Sequence, residues 1–592
     1  MTVQYEGGYF LLDEPFVRGF GPNGHTANDQ SRFSGYTVEA VNAIQDTPWQ
    51  INRFVLDTIT QFKELGQDVT VNNGKETEVI LRFEMPVDPR SYDPVFDTMP
   101  PEQWQQMIPK DRKKHRRRRA KTLKKYEEHL GVWRSTKRIY DTAVEMTQFD
   151  KFYFPHNLDF RTRIYPIPTD LTPQSNDFSK GLLRFARPTA LGDTGLFWMG
   201  FTVASHYGKD KLSPEDRYLY AKSPEFLAQC EAWVDDPLTN QGWLKTDAPF
   251  QFLAVAHEWV WAHRMPDPRS FMSYLPGNLD GSCNGAQHLS ILSRDLVGAT
   301  ATNCRNIRDE NGKPVRNDLY LGVGNKVWDV VQSDAAGGVE EAMEWLPKLV
   351  DESGRRTIVK RSVMTVPYGV TEFGVAEFML KEHVDVEAEN AWDEAKYMRD
   401  RIWSSIGTVL KEGQAIQKYF STCALICAEA AKPLVWDTPA GSKVTQAYRN
   451  VIQRRIKGYD TKFYIYEEPE EDESDPDFLN RIGFDSKKMA TAAPPNVVHS
   501  CDASHLQITV CRMKDVGIKD FSMIHDSFGC PFAHVGLMRD ILRKSIVDMY
   551  GDNYLLKWKQ SVEKYSGLKM PEPPALGGFD INEILESEFF FS

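Results

Sequence analysis

Two aspartates sit in unlike surroundings that share one trait. Asp280 lies in LDGSCNGAQHLS and Asp526 in MIHDSFG, each an uncharged acid-bearing stretch of small residues with apolar sequence on one side. A carboxylate at a strand end, followed by small residues, lets a hard cation approach. Mg²⁺ is typically held by one or two carboxylates plus substrate phosphates. Two such acids converging from distant sequence would activate a hydroxyl and stabilise a leaving pyrophosphate. Each also has a plainer reading. Asp-Gly-Ser is good helix N-capping sequence, and an aspartate at a hairpin tip supplies turn chemistry.

Between the acids lies GRRTIVKRSVMTVPYG. Arg356 and Lys360 are four apart and share a helix face. Tyr368 follows eight residues after Lys360, about two turns on and roughly the same side. Two cations there can neutralise a triphosphate with an aromatic ring near its base, or the segment is an ordinary helix with solvated cations. Pro367 predicts that the helix ends or kinks beside Tyr368, and Gly369 fits that ending. Acid, base, acid in this order is the layout of template-directed nucleotidyl transfer. The sequence has no GxxxxGK[ST], and GVGNKV at 322–327 lies in a helical setting, so a glycine-loop phosphate cradle is not expected.

The elements that must position these groups follow from periodicity. Residues 38–68 read as an amphipathic helix interrupted at Thr-Pro, and 84–100 as a loop. The basic segment runs on as a long helix to about 149, which makes the front region a helical arm rather than a compact body. FYFPHNLDFRTRIYPIP is β-rich, with Asp159, Arg161 and Arg163 alternating. SFMSYLPGNLDGS reads as strand into turn at Asp280, NGAQHLSILSRDLVGA as helix, and 315–437 as strongly helical. The segment 441–466 suggests a hairpin, followed by the acidic run 467–477. NVVHSCDASHLQITVCRMKDVG reads as helix and FSMIHDSFGCPFAH as a hairpin with Asp526 at its tip.

With 592 residues, 41% hydrophobic and 26% charged, the chain is long enough for several domains of ordinary globular composition. No run approaches the roughly 18 apolar residues of a membrane span. The opening MTVQYEGGYFLLDEPF has neither a basic n-region nor an Arg/Ser bias, so no signal or transit peptide is expected. The eight cysteines form no CxxC pair, and Cys423 and Cys427 are expected to share a helix face. Net charge is −12, yet Lys110 to Lys125 carries eleven Lys/Arg against one Asp. That density points to nucleic-acid backbone contact by Arg112, Lys113, Lys114, Arg116, Arg117, Arg118 and Arg119, with a solvated helix face or a localisation patch as the alternatives.

DGSCNGAQH, RTIVKRSVMTVPYG and IHDSFG resemble, in order and spacing, motifs A, B and C of the single-subunit DNA-dependent RNA polymerases of T-odd bacteriophages and their mitochondrial and chloroplast relatives. DFRTRIYP, NDFSKGLL, NVVHSCDASHL and ILESEFFFS are similar to family sequence as well. The resemblance implies an α+β, mostly helical right-hand fold with a small antiparallel palm sheet carrying the catalytic aspartates. Residues 1–147 would be a short N-terminal segment and helical thumb, 148–298 and 500–592 palm, and 299–499 fingers, including a specificity-type hairpin at about 441–485. It implies two Mg²⁺ ions on Asp280 and Asp526 assisted by the Gly281 backbone. Lys360 and Arg356 would bind the incoming triphosphate, with Lys360 the general acid for pyrophosphate. Tyr368 would stack at the nucleotide and help exclude deoxyribose. Tyr320, His499, Lys211, Lys180 and Arg163 match substrate contacts. Arg161, Arg455 and Lys457 would touch nucleic acid, the last two as base readers.

Motif A of family-A DNA polymerases carries a glutamate where this chain has Gly285, so ribose is not opposed and RNA synthesis is favoured over DNA synthesis. A primase-like enzyme and an inactive nucleic-acid-binding relative are further alternatives; intact Asp280, Lys360, Tyr368 and Asp526 speak against the second. The expected partners are DNA template, RNA transcript and NTPs, and no membrane. The usual N-terminal promoter-binding domain is missing from the sequence, which suggests a separate chain or a single-stranded-DNA-binding protein in its place. By the phage resemblance, the expected setting is the cytoplasm of an infected bacterium.

Overall fold

A computed structural model describes residues 16–18, 33–72, 77–96, 101–384, 390–450, 453–457, 462–466 and 481–591. In chain order the elements that matter for the site are α1 (Gly35–Gln45), β1 (Trp49–Ile51), α2 (Arg53–Glu64), α3 (Pro109–Met146), β2 (His156–Leu158), β3 (Ile164–Pro166), β4 (Leu183–Phe185), β5 (Pro276–Asp280), α4 (Asn284–Ser293), α5 (Leu319–Ala336), α6 (Glu352–Thr365), α7 (Ala391–Val409), α8 (Lys411–Glu429), β6 (Gln453–Lys457), β7 (Lys462–Tyr466), α9 (Ser486–Asp515), β8 (Ser522–Ile524) and β9 (Ser527–Pro531). The molecule is mostly helical, with small antiparallel sheets, as expected.

One three-stranded sheet, in the order β8-β9-β5, holds both motif aspartates. β9 pairs with β8 through a two-residue turn, and with β5 in a register that sets Ser527 opposite Asp280. Behind the sheet stands α9, buried along most of its length and packed against α1, α4 and α8. The sequence pattern suggested a start at Asn496. The helix instead begins at Ser486, capped by Asp485, and runs through Pro494 and Pro495. Each proline forgoes a helical N–H, but burial on most sides holds the helix together regardless.

Two apolar cores are present among the described residues. The larger joins α1, α2, α8, α9 and the sheet. The smaller is built by α5, α6 and α7, with Val323, Val359, Val363 and Met398 at its centre. The front region is therefore not wholly an arm. The Thr-Pro interruption houses β1, which pairs with β4, and Val41, Val55 and Ile59 are fully buried in the larger core. What projects is the N-terminal half of α3, whose buried residues begin only at Leu130.

The expected end of α6 is found. After Thr365 the chain tightens into a 3₁₀ turn, Val366–Tyr368, and Gly369 adopts φ +80°. GVGNKV lies inside α5. Cys423 and Cys427 are buried on α8, and all eight cysteines are free. NGAQHLSILSRDLVGA divides into α4 and a short helix, Leu296–Ala301, because Arg294 turns left-handed and Asp295 caps the second piece. No described helix is long and apolar enough to cross a membrane.

Candidate active site

Asp280 is the last residue of β5 and exposed; Asp526 is half-buried in the turn between β8 and β9. The Gly281 N–H donates to the Asp526 carbonyl at 3.1 Å, tying the two motifs together. A Cβ at Gly281 would meet Gln287 at 3.0 Å and Phe591 at 3.2 Å, so the crossing is tight against both side chains. Non-glycine residues beside each acid adopt left-handed backbone: Cys283 at φ +62° and His525 at φ +48°. Such conformations cost about 1–3 kcal/mol each and cluster where a turn must aim a side chain. Burial, then the nearby Asp502 and Asp280 carboxylates, push the Asp526 carboxyl above its ordinary range. A site in which neighbouring carboxylates resist ionisation is one that a cation relieves.

Asp502, 2% exposed in the middle of α9, is the hub that the sequence did not single out. Burial alone would raise its carboxyl, but the Arg163 guanidinium together with His288, His525 and His499 holds it low. Arg163 donates to it through Nε at 2.9 Å and through Nη2, and Asn284 Nδ2 donates at 3.1 Å. β3's flank is thereby locked to the start of α4. A second chain runs alongside. Asp159 accepts from Arg161 Nε at 3.0 Å and Nη2 at 2.7 Å, and Arg161 Nη1 donates to His499 Nδ1 at 2.7 Å. The His499 ring stacks on Tyr368, with centroids 4.7 Å apart. Burial first, then Arg163 and Arg161, drive His499 down to about 2, so the imidazole is neutral and free to accept. Burial and the Asp502 and Asp526 carboxylates keep the Tyr368 phenol protonated.

Tyr368 also explains Gly285. A Cβ there would stand 2.7 Å from Tyr368 Cζ and 2.9 Å from its hydroxyl, so the ring occupies the space that a side chain would need.

Beside the aspartates opens a cavity of about 440 Å³ whose lining includes Lys211, Gly281, Tyr320, Arg356 and Lys360. Lys360 is exposed into it. Arg356 is half-buried, donates Nε to Asp318 Oδ2 at 2.7 Å, and sits 5.2 Å from the Tyr320 ring centre. Asp318, which also caps α5, fixes Arg356's aim and was missed in the sequence.

Of the expected site residues, the structure gathers Asp280, Gly281, Gly285, Tyr320, Arg356, Lys360, Tyr368, Asp526, His499 and Lys211 around the sheet's open end. Lys180 stands apart, lining a separate hollow of about 40 Å³ with His206 and Asn278. Arg161 and Arg163 are present but committed to carboxylates. Arg112, Lys113, Lys114, Arg116, Arg117, Arg118 and Arg119 lie on the projecting half of α3, Arg112 half-buried and the others exposed. Arg455 and Lys457 lie two positions apart on β6, which pairs with β7. The acidic run 467–477 lies outside the described residues.

Residues 189–567 match the family model for DNA-dependent RNA polymerase. The chain belongs to that family. It is 31% identical to the mitochondrial DNA-directed RNA polymerase 1B of Nicotiana tabacum and 30% identical to the chloroplastic/mitochondrial polymerase 2 of Arabidopsis thaliana, covering 94% of this chain and 52% of each relative. A third relative, chloroplastic polymerase 3 of Nicotiana sylvestris, is 29% identical over 99% of this chain and 57% of its own length. The chain thus spans about half the length of the relatives it matches. The polymerase domain of Pol1 from M. smegmatis, solved with DNA primer-template and dNTP, aligns at 12% identity and TM-score 0.38 over 88% of this chain and 68% of that one, too distant to bear on the reading. The relatives correct one expectation. They are plant mitochondrial and chloroplast enzymes, not virus-encoded proteins of an infected bacterium.

Proposed function

We propose that this chain carries out DNA-templated RNA synthesis, transferring ribonucleotides from NTPs to an RNA 3′-hydroxyl. The observation that carries the reading is the meeting of Asp280, at the end of β5, with Asp526, in the turn leading into the neighbouring β9, with Lys360 and Arg356 lining the cavity beside them. The donor set suits Mg²⁺: two carboxylates and the Gly281 backbone, with substrate oxygens completing the shell. Bound there, two ions would stabilise charge on the attacking 3′-oxygen and on the departing pyrophosphate.

The chain's own groups do the rest. Arg356, oriented by Asp318, and Lys360 receive the triphosphate. As the 3′-hydroxyl loses its proton to water, its oxygen bonds to the α-phosphorus, the bond from that phosphorus to the α–β bridging oxygen breaks, and the Lys360 ammonium gives its proton to the departing pyrophosphate. Tyr368, backed by His499 and seated on Gly285, meets the base and sugar, with Tyr320 and Lys211 across the cavity. In this reading α3 belongs to a thumb, the three-stranded sheet to a palm and the smaller core to fingers. Arg455 and Lys457 are the base-reading candidates of the β6–β7 hairpin.

Primer extension with ribo- and deoxyribonucleotides on DNA and RNA templates tests the assignment. Ribonucleotide addition on DNA template is expected, abolished by Asp280→Asn. Activity unchanged in that variant, or a preference for dNTPs, would overturn it.

A further inference from the structure

Along α3, Lys113, Arg117, Lys121, Lys125 and His129 recur every fourth residue. Such a row forms a ridge inclined to the helix axis, climbing about 6 Å per step. The ridge borders two concavities in succession. Lys113 and Arg117 line a hollow of about 590 Å³ at the projecting end. Lys121, Lys125 and His129 then line an open groove of about 820 Å³ against the 82–92 segment. The groove's far wall supplies Arg82, Val87 and Tyr92, and α3 adds Tyr126. Tyr92 is 66% exposed and Val87 68% exposed, large groups left uncovered beside cations.

No carboxylate lines either concavity among the described residues. Arg82 reaches one acid, Asp68, at 3.5 Å, while its Nε is buried without a hydrogen-bond partner. Burial, then the charges of Arg82 and Lys125, hold His129 below its ordinary range against the opposing Glu128 and Asp68. Cations at regular steps, ending at exposed aromatic rings, fit a chain of phosphates whose bases are unpaired. Base–aromatic stacking and a positively charged groove are how single strands are held without sequence preference.

We propose that the α3 ridge and the Tyr92 groove form a track for one unpaired nucleic-acid strand, its phosphates on Lys121 and Lys125 and a base against Tyr92. This goes beyond the polymerase reading and does not depend on the catalytic aspartates.

The test uses the full chain with a fluorescein-labelled single-stranded RNA carrying 5-iodouridine, the same sequence as DNA, and the corresponding duplex. Photocrosslinking is expected to map to Tyr92 or Tyr126. Tyr92→Ala should weaken single-strand binding at least about five-fold. Lys121→Gln with Lys125→Gln should reduce the slope of log affinity against log salt by about 1.4. All three side chains are solvent-facing, so the variants should fold. Unchanged affinity and slope, crosslinks elsewhere, or equal losses on duplex would each overturn the track. RNA and DNA binding alike is the expected result, and a difference between them identifies the strand. Ribonucleotide addition on an annealed primer–template is read in parallel, so a failed polymerase assignment and a failed track read out separately.

Discussion

The three-stranded sheet's surroundings and the projecting half of α3 both concentrate charge, and they treat it in opposite ways. Around the aspartates the arginines are spoken for, Arg163 by Asp502, Arg161 by Asp159 and His499, Arg356 by Asp318, while Lys360 and Lys211 stay exposed. On α3 the cations from Lys113 to Arg119 face solvent, with aromatic rings as their neighbours, Arg116 near Trp104 and Arg119 near Phe96. A buried guanidinium must have its donors met within the fold, by carboxylates or by carbonyls, and so serves geometry. An exposed cation costs little to leave unmatched and remains available to an outside anion. Charge density alone does not mark a binding residue; the burial of the charge decides whether it positions or binds.

Asp502→Ala should break this contrast most severely. It leaves Arg163 charged and buried with its partner gone, a change that typically costs about 3–5 kcal/mol, and it unties Asn284 from α9. Denaturant unfolding should show the loss. Asp502→Asn keeps the shape and one acceptor and should cost less. A loss below about 1 kcal/mol for Asp502→Ala would mean that the pair is not what holds β3's flank to α4.

The same contrast explains what the sequence disclosed. Asp280, Asp526 and the α6 segment were legible because each signal is local: a lone acid among small residues, two cations four apart, a proline before Tyr368. Their strands, and the hairpin that presents Asp526, followed from alternation and turn chemistry. The roles of Arg161 and Arg163 were not legible, since a cation in an aromatic strand reads the same whether its partner is a phosphate or Asp502, hundreds of residues away. Asp502 did leave a trace, a single acid inside the otherwise apolar and small-residue helix NVVHSCDASHL, where an unpaired charge could not survive burial. The place of α1 and α2 in the larger core was hidden because β1, three residues between two helices, acquires its structure from β4 rather than from its own pattern.

A gentler probe exploits the burial of Asp526 and its repulsion by Asp502 and Asp280. The Asp526 carboxyl is raised in the fold, so its protonated form is the favoured one there. It contributes stability that is present below the ordinary carboxylate range near pH 4 and is lost as pH rises past it toward neutrality. Without divalent cation, the stability of wild type relative to Asp526→Asn should therefore fall between about pH 4 and pH 7, by about 1–2 kcal/mol. Mg²⁺ should restore it at pH 7 in wild type and not in the variant. Parallel stability curves across that range would show that the acids do not oppose one another.

The smallest effect on folding is expected where charge is densest. Arg116→Gln with Arg117→Gln removes two exposed cations from a stretch of helix with no buried neighbours, so unfolding free energy should move by no more than about 0.5 kcal/mol. Single-strand affinity should nonetheless fall, and its salt dependence should flatten by about 1.4. Stability and binding are thus expected to separate on α3 and to move together at Asp502. If the α3 pair destabilised the protein as Asp502→Ala does, those cations would be structural, and the division between positioning charge and binding charge would fail where it is drawn most sharply.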